Sequence, residues 1–176
     1  MRILMTAGIA LALTACGDAK PPAAPTVETS TAEAPAATAP ANAKAADAAA
    51  WAKYVPWNST LPEVVKTGSG LEYVVLASGP ADGVSPKPSE QAEVFYEGRL
   101  NAGGPAFDSA FERNESATFP VNAVVEGFSE MLQRMKPGDR WIGYLPYKLA
   151  YGEGGKGPIP PAADLVFEVE LVSVRP

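Results

Sequence analysis

Apolar and polar positions divide the 176-residue chain into three regimes. Residues 3–13 form a short apolar run of small and aliphatic residues, and residues 17–50 hold almost no large apolar side chains. From Trp51 onward apolar residues recur with the periods of strands and helices. The clearest alternation comes last: Phe167, Val169 and Leu171 take turns with Glu168 and Glu170. That pattern predicts a half-buried antiparallel strand with both glutamates on a solvated face. Strands are also predicted over 71–77, behind the turn residues Gly68, Ser69 and Gly70, and over 93–100, 117–121 and 140–145, with 106–109 extended. Val124, Val125, Phe128, Met131, Leu132 and Met135 fall near helical spacing, with Glu126, Glu130, Gln133 and Arg134 among the polar positions. Pro137-Gly138-Asp139 stops that helix. The sum is an α+β domain over 51–176: an antiparallel five- to six-stranded sheet wrapped around one short amphipathic helix. A second helix is expected within 41–54, at the edge of the domain.

The first two regimes add an export signal and a tether. Arg2 precedes the apolar run, which is too short to span a bilayer. Leu13-Thr14-Ala15-Cys16 resembles the lipobox of bacterial lipoproteins, so residues 1–15 are expected to be a signal removed before a lipidated Cys16. The chain's only thiol sits where the run ends. Two or three acyl chains, at about 0.8 kcal/mol per buried methylene, hold a protein stably on a membrane. Gly17, where an aspartate would favour retention at the inner membrane, points to the outer membrane and a domain facing the periplasm. Residues 16–50, rich in Ala, Pro and Thr, bury too little to offset the entropy of ordering and are expected to be a disordered tether.

Composition narrows the chemistry. The chain has no histidine and one cysteine, which removes Ser/His/Asp and Cys/His catalysis, His-based metal sites and any internal disulfide. A formal charge of −6 argues against nucleic acid as a partner. Residues 152–157 with Lys156 superficially suggest a phosphate loop, but Ala150 stands where its first glycine belongs and no Ser or Thr follows Lys156. Asn58-Ser59-Thr60 and Asn114-Glu115-Ser116 match glycosylation acceptors without consequence in a bacterial envelope. The chemistry must therefore proceed without a nucleophile–base pair.

Six motifs in order carry a resemblance. They are Phe95-Tyr96-Glu97-Gly98-Arg99-Leu100, Phe107-Asp108-Ser109, Val124-Val125-Glu126-Gly127-Phe128, Met135-Lys136-Pro137-Gly138-Asp139, Leu149-Ala150-Tyr151-Gly152, and Ile159-Pro160-Pro161 with Leu165-Val166-Phe167. Across 68–174 the chain resembles the FKBP-type peptidyl-prolyl cis-trans isomerases. The resemblance implies an FKBP-like fold and isomerisation of X–Pro bonds in exported or unfolded polypeptides, with no cofactor and no metal. It implies catalytic roles for Tyr96, Asp108 and Tyr151, and a proline pocket lined also by Phe107, Val124, Val125, Phe128, Ile159 and Phe167. Phe128 would be the floor, where the family often has tryptophan. The Val125 N–H and the Tyr151 hydroxyl would bond substrate carbonyls, and Arg113 would support Tyr96 and Asp108 from behind. Macrolide inhibitors are implied as ligands.

Plainer readings stand beside these roles. Phe119, Val124, Phe128 and Phe167 would be buried in almost any packing of the domain, and Asp108 could cap a turn. Tyr96 and Tyr151 are stronger candidates, because a phenol among apolar residues needs a polar partner. Ala117 stands where relatives often have a pocket phenylalanine, which leaves one wall thinner, and the 152–158 loop is slightly short. Those departures keep a second reading open: a tethered module that binds proline segments or unfolded chains without turning them over.

Overall fold

A computed structural model describes residues 45–176. The expected signal, Cys16 and most of the tether lie outside the described residues. The elements in chain order are α1 (Ala48–Tyr54), β1 (Val65–Lys66), β2 (Glu72–Ala77), β3 (Gln91–Leu100), β4 (Asp108–Ser109), α2 (Ala110–Arg113), β5 (Ala117–Pro120), α3 (Glu126–Arg134), β6 (Arg140–Leu145) and β7 (Leu165–Arg175). The strands form one antiparallel sheet in the order β1-β2-β6-β7-β3-β4, with β5 also paired to β3. The expected architecture stands. Two strands of only two residues each, β1 and β4, bring the sheet to seven, and so short a segment leaves no alternation to read. β3 gives its outer edge first to β5, over Gln91 to Val94, and then to β4, at Glu97 and Gly98.

The sheet wraps α3. Phe128, Met131 and Leu132 from the helix, with Met135 just after it, pack onto Val94, Trp141, Leu145, Leu165, Val169 and Leu171, all buried. Each such aliphatic side chain contributes about 1.5–3 kcal/mol on burial. Glu126 in the first turn and Arg134 in the last complement the helix dipole. The helix begins two residues later than its apolar spacing suggested. Val124 and Val125 keep extended dihedrals (ψ 171° and 149°) and only cap it, in line with the extended preference of β-branched residues.

The other face of the sheet is where expectation fails. Glu168 is not solvated: it is 0% exposed. α1, capped by the Asp47 carboxylate accepting the Ala49 and Ala50 N–H groups, lays Trp51 and Tyr54 against Val74, Ile142 and Val166. That helix and the chain before it cover the strand positions the alternation assigned to water. Glu168 accepts from the Arg140 Nε (2.7 Å) and Nη2, and from the Asp47 N–H at 3.0 and 3.1 Å. Arg140 Nη2 also donates to the Ala45 carbonyl at 3.0 Å. Glu170 is half-buried, with Arg140 Nη1 at 3.6 Å. In the β3–β7 ladder Glu168 faces Glu97, also buried. Two like charges so placed repel, and each has its own cation: Arg140 for Glu168, Arg99 for Glu97.

Candidate functional site

β3 has a glycine at 98 because two rings occupy the place of a side chain. A Cβ there would lie 2.5 Å from Phe107 Cζ and 2.6 Å from Phe167 Cε1. The two rings meet edge to face, centroids 5.7 Å apart, and Phe167 meets Phe128 in the same manner at 5.2 Å. Phe128 in turn contacts Tyr96 at 6.1 Å and Phe119 at 6.5 Å. It is the hub of the cluster, and every ring is fixed by another. Gly98→Ala should push Phe107 and Phe167 off their positions at a cost of about 1–3 kcal/mol, read as a lower midpoint in denaturant.

Above Phe128 lies a cavity of about 280 Å³, lined by Tyr96, Phe107, Asp108, Phe119, Ala123, Val124, Val125, Phe128, Tyr151, Lys156 and Phe167. Eight of the expected site residues therefore share one hollow. Ile159 is the exception among the lining candidates: it is buried in the core and does not line the hollow. There its backbone exchanges two 3.0 Å hydrogen bonds with Lys156 and shapes the rim loop from below. A Cβ on Gly155 (φ +67°) would approach the Ile159 carbonyl to 2.4 Å, so that loop closes only over glycine. Arg113 stands behind the wall and reaches the site through Asp108.

Polar groups are few and directed. Asp108 accepts the Tyr96 hydroxyl on Oδ2 and Arg113 Nη1 on Oδ1 at 2.6 Å. Burial and the hydrogen bond to Asp108 push the Tyr96 phenol up to about 12, so it remains a donor throughout the neutral range. Burial alone would raise the Asp108 carboxyl; the Tyr96 and Arg113 hydrogen bonds outweigh it and hold the group below its ordinary value. A depressed carboxyl contributes stability above its unfolded value and loses it as pH falls through the native one. Carbon-detected NMR titration should accordingly find Asp108 ionised until below the ordinary aspartate range, and Arg113→Ala should move its midpoint upward.

Two donors are left over. The Tyr151 hydroxyl has no hydrogen-bond partner among the described residues, and neither has the Val125 N–H, at the capping position where α3 leaves its first donors unpaired. The turn that carries Tyr151 is held by Asp164, which accepts the Tyr144 hydroxyl at 2.7 Å and the Tyr147 N–H at 2.8 Å. A wider groove of about 500 Å³ runs along the polar side of α3 past Glu126, Ser129, Gln133 and Arg134. Its lining, among the described residues, includes no aromatic ring.

Three lining residues escape a reading of the sequence. Phe119 is expected in the core alone, yet it lies two residues beyond Ala117 on the same face of β5 and packs on Tyr96 at 5.7 Å. It supplies a ring to the wall that Ala117 was expected to leave thin. The period of two is the available signal. Ala123 lies in the 3-10 turn before α3, where small residues leave no pattern. Lys156 extends its ammonium over the Tyr151 ring, 5.7 Å from the centroid.

A family profile described as FKBP-type peptidyl-prolyl cis-trans isomerase matches residues 83–172. The chain is 45% identical over 119 residues to the peptidyl-prolyl cis-trans isomerase Mip of Coxiella burnetii, covering 67% of this chain and 50% of that protein. It is 38% identical to the outer membrane protein MIP of Legionella longbeachae, again covering 67% and 50%. The crystal structure of FkpA from Escherichia coli superposes with a TM-score of 0.63 at 36% identity, covering 67% of this chain and 54% of that one. The chain thus spans about half the length of these three relatives.

Proposed function

The chain belongs to the FKBP-type peptidyl-prolyl cis-trans isomerases, and we propose on that premise that its aromatic cavity isomerises X–Pro bonds of exported or unfolded polypeptides. The observation that carries the reading is the pairing of a ring-lined hollow with two unspent donors, the Tyr151 hydroxyl and the Val125 N–H. An X–Pro bond rotates over a barrier of ~18–20 kcal/mol that is amide resonance, so no covalent intermediate is needed. Enclosing the prolyl ring among Tyr96, Phe107, Phe128 and Phe167 strips water from the imide and favours the twisted, less charge-separated form. Donors that hold the flanking carbonyls fix one twisted geometry. Tyr96, Asp108 and Tyr151 act on the substrate here, Arg113 keeps Asp108 ionised, and Phe107, Val124, Val125, Phe128 and Phe167 enclose it, with Ile159 holding the rim. The same hollow suits macrolide inhibitors.

The setting belongs to the same proposal: a signal over 1–15, a lipidated Cys16, and a tether that presents the domain to the periplasm from the outer membrane. The apolar run that ends at the chain's sole thiol supports it, as does a relative whose name is outer membrane protein.

The test is exchange NMR on a short X–Pro peptide with the full chain, which needs no protease. Added protein should shorten the uncatalysed relaxation, about 10–100 s, in proportion to its concentration. Unchanged exchange alongside suppressed aggregation of an unfolded client would instead identify a binding module.

A further inference from the structure

Glu97 and Ser109 are buried polar residues (2% and 4% exposed) that do not line the cavity. Their backbones pair in the β3–β4 ladder, and their side chains make a second, separate connection. The Ser109 hydroxyl donates to Glu97 Oε2 at 2.9 Å and accepts the Glu112 N–H at 3.1 Å. A hydroxyl has one proton. By taking it, the Glu97 carboxylate leaves the lone pairs of that oxygen for the start of α2. The other carboxylate oxygen is held by Arg99, through Nε at 2.8 Å and Nη2 at 2.7 Å.

α2 has four residues, far too few to stand without its cap. Its last residue is Arg113, whose Nη1 lies 2.6 Å from Asp108 Oδ1. Asp108 in turn receives the Tyr96 hydroxyl inside the cavity. A line of directed bonds therefore runs from Arg99 through Glu97, Ser109 and α2 to Asp108, the one acid that the described residues place on the cavity wall.

We propose that Glu97 is a positioning residue for the site: through the Ser109 hydroxyl it fixes α2, and so sets where the Arg113 guanidinium meets Asp108. The consequence for turnover rests on the isomerase reading above; the consequence for Asp108 does not.

The test compares the full chain with Ser109→Ala, Ser109→Thr and Glu97→Leu, using two readouts: kcat/KM on the X–Pro peptide and the titration midpoint of the Asp108 carboxyl by carbon-detected NMR. Ser109→Ala and Glu97→Leu should each move the Asp108 midpoint upward and lower kcat/KM by about tenfold, the equivalent of one hydrogen bond. Ser109→Thr, which keeps the hydroxyl, should restore both. Should Glu97→Leu not fold, the serine pair alone decides. Folded variants with lower thermal midpoints but parental Asp108 titration and parental kcat/KM would overturn the proposal, leaving Glu97 and Ser109 as scaffold. A shifted Asp108 midpoint in a protein whose parent shows no turnover would uphold the positioning role and reject the isomerase reading instead.

Discussion

Arg140→Met should lower the folding free energy by about 3–5 kcal/mol, the cost typical of stranding one member of a buried ion pair. The reason lies in Glu168, which is fully buried and receives Arg140 Nε at 2.7 Å. Methionine fills the aliphatic volume of arginine, so the loss measures charge and hydrogen bonding more than a void. Its pH dependence follows from the direction of the Glu168 shift. Burial pushes that carboxyl above its ordinary value, and the Arg140 guanidinium and Asp47 N–H pull against it. A raised carboxyl contributes stability that is fully present below its unfolded value and lost as pH rises through the native one. Without Arg140 the native value rises further and that decline extends over a wider range of pH, so the deficit of the variant should be small in acid and grow toward neutral pH. Urea unfolding under both conditions reads it directly. Arg140→Met combined with Glu168→Leu should recover most of the loss, since the pair couples strongly. An identical deficit in acid and at neutral pH would mean that Glu168 is not charged in the native protein.

Tyr151→Phe should lower kcat/KM on an X–Pro peptide by about tenfold, near 1.4 kcal/mol, the upper end of what one neutral hydrogen bond contributes. Thermal unfolding should not move, because the hydroxyl bonds no described residue in the free protein. Asp108→Ala should do more and differently. It removes the acceptor of Tyr96 and the partner of Arg113 together. The Tyr96 hydroxyl is then left unsatisfied in a mostly apolar wall, at about 1–3 kcal/mol. Turnover and stability should fall together in that variant, whereas Tyr151→Phe separates them. Parental turnover in both would place the chemistry outside this cavity.

Much of the molecule is legible in the sequence because it rests on short-range pattern. The alternation of Phe167, Val169 and Leu171 locates β7, and the spacing of Phe128, Met131 and Leu132 locates the helix beneath it. The site follows from motifs in order: five of the six carry a residue that lines the cavity, and the sixth, Met135 to Asp139, ends the helix beneath it. What fails is information held at long range. Glu168 has the local signature of a wet position, and contacts from Arg140, 28 residues away, and from Asp47, 121 residues away, reverse it. Phe119 is visible as an apolar residue, but its membership of the wall depends on how β5 lies beside β3. Ile159 shows the converse: its motif places it at the pocket, and packing draws it into the core beneath the rim.

The hydrogen bonds that α1 and the residues before it make to Glu168 and Arg140 have a bearing on where this domain starts. Ala45 and Asp47 contribute a carbonyl and an amide to a charge pair buried beneath α1. Trimming the polypeptide back to Trp51 would remove both and uncover the ion pair from behind, although every ring of the cavity would remain. A piece of the domain that keeps both of these hydrogen bonds must therefore include Ala45, on the side of the sheet turned away from the cavity.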